Sequence, residues 1–152
     1  MNIRDIISIR AIQSNQDIST LWNSFINIFC KIIKGEIPSY TIFEDETVKV
    51  FLDINPSTNG DCLVVPKKHF TSINDIDLET LNHINKVAKN LYPALKEKLS
   101  CDGLTLVQNN DFGQEVKHYH LHLTPRYKDD MLTHNFNKNI LLKIEEVYEK
   151  LK

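Results

Sequence analysis

Three histidines at alternate positions distinguish the stretch KHYHLHLTPRY, residues 117–127. His118, His120 and His122 are half of the six histidines in the chain. Residues two apart on a strand point to the same face, so the three imidazoles would line one surface while the residues between them face a core. This alternation predicts a strand over residues 116–124 whose outer face carries chemistry.

Two kinds of functional site can use this arrangement, and the alternative to both is a half-exposed strand whose polar residues happen to be histidine. Alternate strand residues lie about 6.6 Å apart, so a zinc ion would take an adjacent pair and one more donor, such as His69 or Cys30. A neutral imidazole can instead act as a nucleophile toward phosphorus when one of its nitrogens is fixed as a donor. His120 is the histidine that both neighbours could assist.

The segment before the triad favours phosphate chemistry. It reads NNDFGQEV over residues 109–116. Asn109 and Gln114 supply neutral donors, and Gly113 predicts a turn whose N–H groups can face an anion. Such a turn is a weak signal by itself, because asparagine and glycine are common in ordinary turns.

Length and composition limit the class of protein. The chain has 152 residues, enough for one domain with a substantial core. Eighteen basic and twenty acidic residues give a formal charge of −2, which offers no basic surface to nucleic acid. The three cysteines are few and far apart, as is typical of reduced thiols. No apolar run approaches the roughly 18 residues of a membrane span. We therefore expect a cytoplasmic protein that binds neither nucleic acid nor membranes.

Hydrophobic periodicity predicts an α+β fold, with consecutive antiparallel strands and helices around them. Residues 1–24 are expected to form an N-terminal extension, followed by a single domain over residues 25–152. The predicted strands cover 39–44, 47–54, 61–66, 103–110 and 116–124. The predicted helices are a short one over 29–34 closed by Gly35, a long one over 77–99 that Pro93 should kink or divide, and a C-terminal one over 140–151.

Several blocks of the sequence, in the same order, resemble the histidine-triad (HIT) family. The triad HYHLHLT is accompanied by FCKIIKGEIPSYTIFEDE (29–46), VFLDINP (50–56), LVVPKKHF (63–70) and PRY (125–127). The resemblance covers roughly residues 27–127 and implies an α+β domain that forms a homodimer by packing helices and joining two sheets. We expect residues around 103–108 and the 77–99 helix at that interface. It also implies nucleotide hydrolase or transferase activity that requires neither a metal nor another cofactor.

The resemblance also implies roles for individual residues. His120 matches the nucleophile that attacks the α-phosphorus, and His122 matches the histidine that contacts the phosphate and the leaving group. His118 matches the first triad histidine, which orients the nucleophile, and His69 matches a fourth histidine linked to it. The remaining matched positions bind the base, the ribose or the phosphate: Ile28, Phe29, Phe51, Asp53, Ile54, Asn109, Gln114 and Val116.

The sequence departs from the family pattern in three places. Asn27 stands where many bacterial relatives have the first of two zinc-binding cysteines, so we expect no zinc site. Only Asp111 and Phe112 separate NN from GQ, a shortening that bears on leaving-group preference. Residues 1–24 have no counterpart in the usual short N-terminus.

Together these features predict a phosphoramidase-like hydrolase whose substrate is a purine nucleotide conjugate. The alternatives are a dinucleoside-polyphosphate hydrolase and a nucleotide-binding regulatory or scaffold protein with incidental hydrolysis.

Overall fold

The centre of the fold is a five-stranded antiparallel sheet, seen in a computed structural model that describes residues 28–133 and 137–152. The strands are β1 (Thr41–Glu44), β2 (Val48–Leu52), β3 (Cys62–Pro66), β4 (Gly103–Val107) and β5 (Leu121–Arg126). They lie in the order β1-β2-β3-β5-β4. The helices are α1 (Ile28–Ile33), α2 (Leu78–Leu99) and α3 (Ile144–Leu151), and a 3₁₀ turn covers Lys138–Ile140. The predicted α+β class is confirmed, whereas the predicted extension over residues 1–24 lies outside the described residues.

Helix α2 covers one face of the sheet with the apolar stripe that its periodicity predicts. Its buried residues pack against alternate residues of β2, β3 and β5, among them Val50, Val64 and Leu123. The Asp77 carboxylate caps the helix by accepting from the Thr80 N–H at 2.8 Å. Of the two predicted effects of Pro93, a kink or a division, division does not occur, because the helix is continuous from Leu78 to Leu99. Core packing on both sides of the proline offsets the one backbone hydrogen bond that a proline removes. Among the described residues, no helix is long and apolar enough to cross a membrane.

Helix α1 covers the opposite face of the sheet. Phe29 and Ile32 are buried against Phe51, Leu63 and Val65, which alternate along β2 and β3 with the residues that face α2. Gly35 follows the helix with a φ of +77°, so the predicted glycine C-cap is confirmed. This packing fixes α1 beside the carboxyl end of β2.

The C-terminal helix is shorter than the predicted range of 140–151. A 3₁₀ turn ends at Ile140, and α3 begins only at Ile144. None of the α3 residues is buried, and its apolar side chains are exposed in the single chain.

The predicted histidine strand is wrong at both ends, because β5 begins at Leu121 and continues through Pro125. On the β3 side, pairing stops at Val64 opposite Leu121. Two positions further along β3 stands Pro66, which has no N–H and whose carbonyl accepts a hydrogen bond from His118 Nε2. Pro125 stays in the strand because its carbonyl accepts from the Thr58 hydroxyl at 2.6 Å. The Pro125 nitrogen points to the same side as its carbonyl, away from β4. The missing N–H therefore costs no hydrogen bond between β5 and β4.

Substituting Gly60 by alanine should lower the free energy of unfolding by about 2–3 kcal/mol. Gly60 has a φ of +87°, and an added Cβ would overlap the Leu99 Cδ1 at the end of α2. Urea denaturation with an unchanged m-value would measure the loss. Gly35→Ala is the matched control, since φ is +77° and no atom lies within 4 Å of the added Cβ. We expect Gly35→Ala to lower the free energy of unfolding by about 1 kcal/mol. Equal losses in the two variants would show that the clash with Leu99 contributes nothing.

Candidate active site

The triad histidines occupy different structural positions although they are evenly spaced in sequence. His122 lies on β5, whereas His118 and His120 lie in the segment just before the strand begins. The rings of His120 and His122 are 5.1 Å apart between centroids. Phe29 of α1 packs edge-on against His120, with 5.1 Å between centroids and 82° between ring planes. Helix α1 thus closes one side of the His120 ring.

A hydrogen bond fixes the tautomer of His120. Its Nδ1 lies 2.7 Å from the backbone carbonyl of His118. A carbonyl only accepts, so Nδ1 carries the proton and Nε2 of the neutral ring keeps a free lone pair. This is the state that a nucleophilic histidine needs.

His118 is fixed by hydrogen bonds at both ring nitrogens. Its Nε2 donates to the Pro66 carbonyl at 2.8 Å, which leaves Nδ1 as an acceptor. His69 Nδ1 lies 3.1 Å from that Nδ1 and is its donor. The predicted link between His69 and His118 is therefore present, and it holds the loop whose carbonyl orients His120.

Burial keeps His118 and His120 neutral at pH 7. It is the largest cause that lowers the pKa of His120 from 6.5 to about 4, with His122 and His118 acting in the same direction against the hydrogen bond to the carbonyl. Burial likewise lowers the pKa of His118 to about 4, helped by the nearby His69. Both rings are therefore uncharged over the physiological range.

One ring nitrogen of His122, Nδ1, faces two carboxylates. Its Nδ1 lies 3.8 Å from Asp53 Oδ2 and 3.9 Å from Asp61 Oδ1. Asp53 follows β2 directly, and Asp61 directly precedes β3. These distances are too long for direct hydrogen bonds, but they place negative charge beside the imidazole.

A cleft of about 240 Å³ opens beside His120 and His122. It combines an apolar wall, carboxylates, amides and the two imidazoles, and its lining residues are Phe29, Asp53, Asn55, Leu63, Asn109, Gly113, Glu115, Val116, His120 and His122. This mixture suits a ligand that has a flat apolar part joined to a polar or anionic part.

Comparison with known proteins decides the family. The HIT domain profile matches residues 34–129. The chain belongs to the HIT family. An uncharacterized HIT-like protein of Methanocaldococcus jannaschii is 43% identical over 127 residues, covering 82% of this chain and 98% of that protein. This HIT chain is therefore similar to nearly the whole length of that relative.

Two further HIT relatives have informative descriptions. An adenosine 5′-monophosphoramidase of Saccharomyces cerevisiae is 43% identical over 101 residues, covering 65% of this chain and 61% of the yeast protein. A zinc-bound histidine triad protein of Mycobacterium smegmatis is 35% identical with a TM-score of 0.67, covering 73% of this chain and 82% of that one. The comparisons support nucleotide hydrolase chemistry in the family.

One cluster of this HIT domain has part of the geometry of a zinc site. Cys30 Sγ lies 3.7 Å from His69 Nδ1 and 3.5 Å from His118 Nδ1, and the two nitrogens are 3.1 Å apart. Tetrahedral zinc separates such donors by about 3.4–3.6 Å. These three donors therefore fit, whereas a structural zinc takes four, and no fourth donor joins this group among residues 28–133 and 137–152. Asn27, on which the expectation of no zinc rests, lies outside the described residues.

The structure brings some predicted residues to the cleft and places others behind it. Phe29, Asp53, Asn109 and Val116 line it together with His120 and His122. The predicted residues placed elsewhere are His69, His118, Ile28, Phe51, Ile54 and Gln114. Phe51 is buried between the sheet and α1, while Ile54 is 51% exposed. Gln114 is buried and donates to the Thr71 carbonyl at 2.6 Å.

Sequence reasoning missed Asn55, Leu63, Glu115 and, above all, Asp61. Asp61 was assigned only to a predicted strand end. The one signal that could have found it is a carboxylate directly preceding a fully apolar strand, because a charge in that position needs a partner.

Proposed function

We propose that this HIT protein hydrolyses purine nucleoside phosphoramidates at the α-phosphorus and releases a nucleoside monophosphate. The observation that carries the proposal is the neutral His120 ring, whose Nδ1 is committed to a carbonyl and whose Nε2 is left free beside the cleft. The yeast relative described as an adenosine 5′-monophosphoramidase supports the substrate class.

In the proposed reaction, His120 Nε2 attacks the α-phosphorus as the bond to the leaving amine breaks. The electron pair of that bond passes to the amine nitrogen, which takes a proton from His122. Water then attacks the nucleotidyl-histidine, gives a proton back to His122 and releases the monophosphate, and the P–N electron pair returns to His120. Each step needs one nucleophile and one proton carrier, and the two histidine rings are 5.1 Å apart between centroids.

The cleft residues suggest how the nucleotide would be held. Phe29 and Val116 form an apolar wall for the base, with Phe51 packed behind Phe29 at 5.6 Å between ring centroids. Asp53 offers a carboxylate to the ribose hydroxyls, and Asn109 offers an amide to the phosphate. We assign no direct ligand contact to Gln114, Ile28 or Ile54.

We further propose that turnover needs neither a metal nor another cofactor. His120, the proposed nucleophile, belongs neither to the closely spaced group of Asp53, Asp61 and His122 nor to the Cys30, His69 and His118 cluster. A zinc ion there would replace the hydrogen bond between His69 and His118 and brace α1 against the triad loop, which is a structural effect.

A panel of substrates, assayed side by side with and without excess chelator, tests the proposed function. It contains adenosine 5′-phosphoramidate, guanosine 5′-phosphoramidate, diadenosine tetraphosphate and a nucleotide sugar. We expect kcat/KM to be at least about tenfold higher for the phosphoramidates, because proton donation helps an amine to leave more than it helps a polyphosphate. Preference for the dinucleotide would replace the proposal with the polyphosphate hydrolase. Loss of activity in chelator, with recovery on adding zinc, would overturn metal independence.

We propose that the protein is a homodimer in the cytoplasm. Strand β4 pairs with β5 on one side, and its other edge meets no strand among residues 28–133 and 137–152. Leu106 on this strand is 51% exposed, which favours pairing of β4 with its copy across a two-fold axis. Most of the α2 apolar stripe packs on its own sheet, so we assign the main contact to β4. All three cysteines are free thiols, which suits a reducing compartment.

Light scattering at micromolar concentration should give twice the chain mass of 17.7 kDa. A dimer joined through β4 would hide Leu106 and satisfy the edge backbone groups of both copies. A mass close to that of one chain would rule the homodimer out.

A further inference from the structure

Asp61 is a buried carboxylate beside the active-site cleft but is not among the residues that line it. It is 2% exposed. One of its oxygens, Oδ2, accepts from the Ser57 N–H at 3.0 Å, and the other, Oδ1, accepts from the Thr124 hydroxyl at 3.1 Å. Both carboxylate oxygens are thus held in place by residues of the loop before β3 and of β5.

The carboxylate is ionised at neutral pH. Burial alone would raise the pKa of Asp61, but the neighbouring His122 and the hydrogen bonds from Ser57 and Thr124 hold the pKa below its ordinary value. The closest approach to His122 is 3.9 Å, from Oδ1 to Nδ1. A buried negative charge at that distance interacts strongly with a positive ring, because little water screens it.

Asp61 and Asp53 differ in what else they can do. Asp53 lines the cleft, where it can meet a ligand, and its Oδ1 accepts from the Asn55 N–H at 2.9 Å. Asp61 is out of reach of a ligand, so its charge can act only on groups of the protein. Among the described residues, the titratable groups next to the His122 ring are these two carboxylates and the ring of His120, and Glu115 lines the same cleft.

We propose that Asp61 is a positioning residue that keeps a proton on His122 Nδ1 and stabilises the imidazolium, so that Nε2–H is available to the leaving group. This inference rests on the proposed phosphoramidase function. As the P–N bond breaks and its electron pair passes to the amine, Nε2–H of His122 supplies the proton that makes the amine neutral. The ring keeps its Nδ1 proton against the two carboxylates.

The consequence is selective for the leaving group. An alkylamine leaves as an unstable anion unless it is protonated, whereas p-nitrophenolate leaves without a proton. Asp61→Asn should therefore lower kcat about 100-fold on an alkyl phosphoramidate of adenosine monophosphate and less than about threefold on its p-nitrophenyl ester. Thr124→Val, which removes one donor to Asp61, should give a smaller loss with the same selectivity.

Asp45→Asn is the matched control. Asp45 is likewise a hydrogen-bonded carboxylate beside a histidine. It accepts from two backbone N–H groups and its Oδ2 lies 2.7 Å from His83 Nε2, but it lies on the β1–β2 turn. It should leave the ratio of the two rates unchanged. A parallel fall on both substrates in Asp61→Asn and Thr124→Val, or no fall in either, would overturn the role of Asp61.

Imidazole ¹⁵N resonances separate this inference from the proposed function. In the wild type without ligand, the ¹⁵N shift of His122 Nδ1 should be that of a protonated nitrogen, and at the same pH it should move toward that of an unprotonated nitrogen in Asp61→Asn and Thr124→Val. If the wild type does not hydrolyse the phosphoramidate, the proposed function fails, while the resonances still report whether Asp61 governs the proton on His122. Identical ¹⁵N shifts of His122 Nδ1 in the wild type and both variants would overturn the inference whatever the activity.

Discussion

Replacing His120 with asparagine is expected to lower kcat on a phosphoramidate by a factor on the order of 10³ or more, with nucleotide affinity kept within a few-fold. The asparagine amide can still donate to the His118 carbonyl, as the native Nδ1 does at 2.7 Å. It has no atom that corresponds to Nε2, so the proposed nucleophile is lost while the cleft keeps its shape. Steady-state kinetics and calorimetric binding of adenosine monophosphate would measure the two quantities separately.

His83→Asn provides the control for this experiment. His83 lies on α2, where its Nε2 contacts the Asp45 carboxylate at 2.7 Å, and it is absent from the cleft lining. Its removal should leave kcat and affinity unchanged. If His120→Asn kept most of the turnover, the nucleophile assignment would be wrong. If it lost turnover but kept every cellular phenotype and partner interaction, a scaffold role would replace the enzyme hypothesis.

Acid should destabilise the fold by about 6 kcal/mol as the pH falls from 7 to 4. The pKa values of His118 and His120 are lowered from 6.5 to about 4. Between these two pH values each ring is protonated in the unfolded chain but not in the folded one. The stabilising effect is complete above pH 6.5 and is lost as the pH falls toward 4, at about 3 kcal/mol per histidine. Because domains of this size are stable by about 5–15 kcal/mol, the loss would bring the protein close to unfolding.

Urea denaturation at half-unit steps of pH would test this window. The slope near pH 5 should correspond to the uptake of about two protons on unfolding. The carboxylates of Asp45 and Asp61, whose pKa values are lowered, lose their contribution only below about pH 4, so their effect is separable. A stability that stays flat between pH 6.5 and 4.5 would show that the two rings are not held neutral by burial.

Features that depend on near neighbours in the sequence were predictable from it. The alternation of apolar residues around the triad correctly predicted that Tyr119, Leu121 and Leu123 face a core, which the structure shows to be the one beneath α2. Asp77 and Gly35 marked the beginning of one helix and the end of another, because capping depends on groups only a few residues away. The triad and its flanking blocks were sufficient to indicate the family.

Strand ends were less predictable, because they depend on a partner strand. Nothing in residues 116–120 reveals that the ladder stops before Leu121. The stop is set by Pro66 on β3, a residue that lacks an N–H and gives its carbonyl to a histidine ring. A local pattern carries no information about which backbone groups of the neighbouring strand are already in use.

The sequence by itself determined that a neutral histidine could act on phosphorus, since residue type and spacing are local properties. Only the tertiary structure decided which nitrogen is free and which charges surround the triad. His69 reaches His118 across 49 residues, and Asp61 reaches Thr124 across 63. Burial and Coulomb interactions depend on distances in space, and these are set when β3 and β5 pair and α1 packs over them.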